Sequence, residues 1–143
     1  MEKKKTYLYW QASLAKFFRN KHVLKVKQMV NENSELEKSA IHIVVEIIEY
    51  MPKAVVSKTI IKKITGNVTI SSFDAGEELA EKLSPFDTYI QIIDGAAQLT
   101  IDKKMFNLKL GDGIIIPAHA RHRFDAAEQF KMISTVIKSG YEE

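Results

Sequence analysis

Two periodicities divide the chain, and the change comes near Pro52. Before it, apolar residues recur at steps of three and four. Tyr7, Trp10, Leu14, Phe17 and Phe18 share one face of a helix over residues 6–19, with Gln11, Ser13, Lys16 and Asn20 opposite. Residues 23–30 fit a helix or a strand. A polar break over 31–34 follows. Ser34 and Glu37 have the spacing of a capping box, in which each side chain satisfies the other's free backbone N–H. Leu36, Ala40, Ile43, Val44, Ile47 and Ile48 continue at helical spacing, so the pattern predicts a second helix that Pro52 stops. The β-branched run over 41–48 keeps a strand open as the alternative.

After Pro52 the period becomes two, and all six glycines lie in this part. Residues 54–63 and 67–73 are β-branched runs separated by Thr65-Gly66-Asn67, which predicts a hairpin. Asp74-Ala75-Gly76 marks a turn. Residues 87–93 and 96–101 flank Asp94-Gly95, the strongest short hairpin signal in the chain. Residues 105–110 alternate, with Phe106, Leu108 and Leu110 on one face. Gly111-Asp112-Gly113 turns the chain into 114–116, which Pro117 closes, and 122–125 and 130–137 supply two further strands. Many short, evenly spaced strands with Gly-rich turns predict an all-β sandwich or closed barrel.

Two stretches carry a resemblance to a known family. The sharper is Gly111-Asp112-Gly113-Ile114-Ile115-Ile116-Pro117-Ala118-His119-Ala120-Arg121-His122: a Gly, five residues, a Pro, and a His five positions later. The other runs over 81–95, from Glu81-Lys82-Leu83-Ser84-Pro85 to the closing Asp94-Gly95. Together they resemble the two signature motifs of the cupin superfamily, over residues 45–137, and in particular its small single-domain members. The resemblance implies a mainly β, double-stranded β-helix (a jelly-roll barrel) over 45–143. Residues 1–44 lie outside it as a basic, partly helical N-terminal extension.

The resemblance also implies where a metal would sit. Metal-binding cupins supply two His as His-x-His, then a Glu, then the last His of the second motif. Those slots hold Lys82, Ser84, Thr88 and His122 here. One imidazole, two hydroxyls and a cation make a poor transition-metal set, since such sites need neutral imidazoles and an anion. A register shift that replaced Thr88 by Asp87 would restore one carboxylate only. The expected site is therefore free of metal and cofactor. Apolar walls of Ile90, Ile92, Phe106, Leu108 and Phe124 would surround the polar groups of Lys82, Ser84, Thr88 and His122. His119, Arg121, His122 and Arg123 form a small basic cluster that is expected at the barrel end.

Charge changes the picture at one point. Residues 1–30 carry eight Lys or Arg against Glu2, and the remaining 113 carry 13 basic and 17 acidic side chains. The basic character thus belongs to the N-terminal arm. There is no cysteine, so disulfides and thiolate ligands are excluded and a reducing, cytoplasmic location is expected. No apolar run approaches the roughly 20 residues that cross a bilayer. Nothing in the chain has the form of a phosphate-cradling loop, a nucleophile elbow or a zinc-protease helix. The expected activity is the binding of a small anion inside the barrel by a homodimer, with Tyr89, Gln91 and Ile93 on its outer, partner-facing side. Nucleic acid and membrane are not expected partners. The resemblance also admits metal-dependent dioxygenases and isomerases and His-based epimerases, so an enzyme is the alternative. A regulatory module acting through the basic arm is a third reading.

Overall fold

Alternating β-branched and aromatic residues bury one face of each strand and leave the other to solvent or to covering segments. The computed structural model describes residues 34–141 and contains eight strands. They are β1 (Val55–Lys63), β2 (Gly66–Phe73), β3 (Lys82–Leu83), β4 (Thr88–Ile101), β5 (Lys104–Lys109), β6 (Gly113–Ile116), β7 (Arg121–Asp125) and β8 (Phe130–Ile137). Every pairing is antiparallel. One sheet runs β1-β2-β8-β4-β6, and the other runs β5-β4-β7-β3. The result is the mainly β, double-sheet barrel that the alternation predicts. The helix expected over 6–19 and the ambiguous segment 23–30 lie outside the described residues.

The core lies between the two sheets. Phe73 and Phe130, opposite each other on β2 and β8, stack with ring centroids 4.2 Å apart. Phe124 from the other sheet leans on both, at 6.1 and 6.3 Å. Ile90, Ile92, Leu99 and Ile116 complete it, each essentially inaccessible to water. A fully buried side chain of this size contributes roughly 1.5–3 kcal/mol.

Asp94-Gly95 is not a hairpin. β4 runs unbroken through it for 14 residues. Residues 88–95 pair with β6 and β8 in the first sheet, and 96–101 pair with β5 and β7 in the second. The pairing with β8 slips between Ile92 and Asp94, and Gly95 has φ +68°. The same residues that make a tight turn elsewhere here make a bulge that bends one strand from sheet to sheet.

The helix expected from Leu36 to Ile48 is absent, and so is the alternative strand. Within this stretch only Val44–Glu46 forms a single 3₁₀ turn. Side chains of the sheet capture carbonyls of this segment. Lys131 Nζ donates to the Val45 carbonyl at 2.7 Å, Ser72 Oγ donates to the Glu49 carbonyl at 2.9 Å, and Ile48 is buried. Tyr50 Oη donates to Asp94 Oδ2 at 2.6 Å, and the Lys131 ammonium lies 4.8 Å from the centre of its ring. Burial, with the Asp94 carboxylate beside it, holds the Tyr50 phenol well above its ordinary range. The capping-box spacing is also used differently. Glu35, not Glu37, is engaged: its carboxylate accepts the Lys62 N–H at 2.8 Å and the Lys63 ammonium at 3.1 Å. A β-branched run is a weak helix former, and the exposed face of the sheet outbids it.

Candidate functional site

The polar residues of the two motifs meet in one cavity of about 320 Å³ between the sheets. β3 and β7 pair with Lys82 directly opposite His122, so both side chains leave the same face of the sheet. Leu83, between Lys82 and Ser84, is exposed and lies at the edge of the cavity. Period two turns Lys82 and Ser84 together toward the cavity, and His122 and Phe124 with them. The facing wall is Thr88 and Ile90 of β4 with Met132, Ser134 and Val136 of β8. Thr88 lies opposite Val136, and Ile90 opposite Ser134.

These groups differ in depth and in what holds them. Lys82 is exposed, at the cavity mouth, and Thr88 is buried. Ser84 Oγ accepts the Phe86 N–H at 3.1 Å and faces the Phe86 carbonyl at 3.2 Å, which closes a local turn. His122 Nδ1 lies 3.3 Å from the Ala120 carbonyl. A carbonyl oxygen can only accept, so this contact is a hydrogen bond when Nδ1 carries the proton. The ring also meets Phe124 edge-on, with centroids 6.4 Å apart. Among the described residues the Lys82 ammonium, His122 Nε2 and the hydroxyls of Thr88 and Ser134 have no protein partner. No Asp or Glu lines the cavity.

The rim is built by the rest of the motifs. Asp87 Oδ1 accepts the Ala118 N–H at 2.8 Å, and the Ser84 carbonyl accepts the His119 N–H at 2.7 Å. Asp87 thus anchors the turn after Pro117 and is not a cavity group, which removes the register-shifted carboxylate as a ligand. His119 is exposed, with φ +65° in that turn. The two arginines of the basic cluster have acidic neighbours: Arg121 lies 3.6 Å from Glu81, and Arg123 Nε donates to Asp125 at 3.2 Å. Both pairs are exposed and contribute little to stability.

The comparisons with known proteins agree with this fold. No protein-family model matches the chain, and no curated protein matches it. Solved structures do. A conserved protein of unknown function from Streptococcus pyogenes superposes with a TM-score of 0.70 at 26% identity, covering 74% of this chain and 93% of that one. A cupin superfamily protein from Desulfitobacterium hafniense gives 0.69 at 24% identity, over 74% and 97%. A cupin 2 conserved barrel domain protein from Leptotrichia buccalis gives 0.64 at 33% identity, over 66% of this chain and 46% of that one. The chain has the fold of a small cupin.

The chain departs from the metal-binding cupin pattern in its donors. The four slots, Lys82, Ser84, Thr88 and His122, all line the one cavity. Their chemistry does not suit a transition metal, because three of the four are an ammonium and two hydroxyls. Of the apolar residues expected in the wall, Ile90 and Phe124 line the cavity. Ile92 and Leu108 are buried in the core, and Phe106 packs against it. Bending β4 at Gly95 separates the residues that share a face in a flat strand, so parity alone does not tell cavity from core. Ser134 and Met132 were legible as one face of 130–137, but a lone Ser on an apolar strand gives no signal until the opposite wall is known. Among the described residues no helix is long and apolar enough to cross a membrane.

Proposed function

We propose that this cupin-fold protein binds a small organic anion without a metal, as a binding module and not a metal-dependent enzyme. The observation that carries the reading is the pairing of Lys82 with His122 across β3 and β7, facing a cavity that no carboxylate lines. A cation with no protein counter-ion beside a polar, partly apolar cavity favours an anion carrying its own apolar body. The cavity is at the small end of ligand pockets, which run from roughly 300 to 1,000 Å³. The cysteine-free chain fits a cytoplasmic location. In a thermal-shift series with small carboxylates and inorganic phosphate at millimolar concentration, at least one carboxylate is expected to raise the melting temperature of the full chain by about 3 °C or more. Lys82→Met should melt as the parent does without ligand and lose that response. An unchanged response in Lys82→Met, or none across the series in the parent, rejects the proposal.

A second copy of the chain is the proposed partner. The outer face of the first sheet carries an in-register row over five strands: Ile61, Val68, Thr135, Tyr89 and Ile115. None is charged, and Ile61, Tyr89 and Ile115 are exposed by 40%, 44% and 63%. Tyr89 belongs to the outer side expected from the sequence, while Gln91 and Ile93 are half-buried. A two-fold axis through such a flat, uncharged row would bury it against itself. Light scattering is expected to give twice the chain mass for the parent and the single mass for Ile115→Lys. A monomeric parent at micromolar concentration ends this part of the proposal.

A further inference from the structure

We infer that the cavity selects a 2-hydroxy carboxylic acid over the same acid without the hydroxyl. The inference rests on the anion reading above and concerns what stands beside the anion. Lys82 offers donors only, and a carboxylate satisfies it. His122 offers the opposite. With Nδ1–H directed at the Ala120 carbonyl, Nε2 turns a lone pair to the cavity and has no partner among the described residues. The edge-on contact with Phe124 holds the ring in that orientation.

A bare carboxylate cannot donate to that lone pair. Filling the cavity with one strips water from Nε2 and leaves an acceptor unmatched, a cost that erodes the gain at Lys82. A hydroxyl on the carbon next to the carboxylate removes the conflict. The acid oxygens reach the ammonium while the O–H donates to Nε2, since Lys82 and His122 are register partners on adjacent strands and one bifunctional group can meet both. The hydroxyls of Thr88 and Ser134 can serve as donors or acceptors and discriminate neither acid. The rest of the ligand meets Ile90, Met132, Val136 and Phe124, which calls for an apolar body.

The charged groups around the ring are few. From β3 it faces Lys82, and from β4 its register partner is the apolar Ile101. Arg123 also lines the cavity, with its guanidinium bound to Asp125. The β8 wall adds Met132, Ser134 and Val136, none of which is charged.

Mandelate and phenylacetate are a matched pair that differ by the one hydroxyl. Isothermal titration of the full chain at pH 8 is expected to give mandelate an affinity about tenfold above phenylacetate, the value of one buried hydrogen bond. His122→Leu should bring the two acids level at pH 8, with its fold checked by circular dichroism. If that variant does not fold, His122→Phe takes its place, with the same levelling expected. Equal affinities at pH 8 overturn the selectivity and leave the anion reading intact. If neither acid binds at millimolar concentration while another carboxylate does, the selectivity for this class also falls. Silence from every carboxylate rejects both readings.

Discussion

Gly95→Ala is expected to destabilise the fold by about 3 kcal/mol or more, the largest single-methyl effect in the chain. Two costs add at this position. Gly95 has φ +68°, where an L side chain is strained. A Cβ there would also overlap the Gln129 carbonyl oxygen and press on Phe130 Cα, so β8 would have to move. Because β4 passes from one sheet to the other at this residue, that movement is transmitted to the Phe73–Phe130 stack. Gly111 supplies the control. Its φ is +89°, but a Cβ there meets nothing within 4 Å. Gly111→Ala should cost only the backbone strain, about 1 kcal/mol. Urea unfolding of both variants measures the difference. Equal midpoints would mean that close approach to β8 does not govern Gly95, and the account of the bend would fail.

The second large effect is a gain of function. Lys82→His, Ser84→His and Thr88→Glu, made together with His122 retained, should create a transition-metal site from four positions whose present donors suit one poorly. The argument needs only that the four positions face one cavity, as their lining of it indicates. Three neutral imidazoles and a carboxylate supply the donors that the parent's ammonium and hydroxyls do not. With Ni²⁺ or Mn²⁺ at about 100 times the dissociation constant, the triple variant should gain about 2.7 kcal/mol of stability, while the parent gains nothing comparable. Metal analysis after desalting should find about one ion per chain. A folded triple variant that holds no metal would show that the four side chains do not converge closely enough to share an ion. That would also weaken the claim that Lys82 and His122 can grip one ligand.

Several elements were legible because their signal is local. Alternation over 105–110 and 130–137 marks β5 and β8, and the Gly-rich turn and Pro117 bracket β6. Other elements were not, because their conformation is set by a distant partner. Leu36 to Ile48 has helical spacing and β-branched content at once. Neither decides, since Ser72 and Lys131 capture the carbonyls of Glu49 and Val45. β3 is two residues long and exists only because β7 pairs with it. Of the residues named from the motif spacing, Lys82, Ser84, Thr88 and His122 line the cavity, Ile92 and Leu108 lie in the core, and Phe106 packs against it.

By itself the order of residues determined that this chain forms a double-sheet β-barrel, since period-two alternation and turn residues act over a few positions. It also determined that the usual metal slots carry an ammonium and two hydroxyls, because side-chain chemistry does not depend on folding. The tertiary structure decided that Asp94-Gly95 bends β4 and does not reverse it. It decided too that Lys82 faces His122, and that Ser134 joins them while Asp87 does not. Each of these depends on which strand lies opposite, and strand partners far apart in the chain are chosen by the packing of the whole barrel.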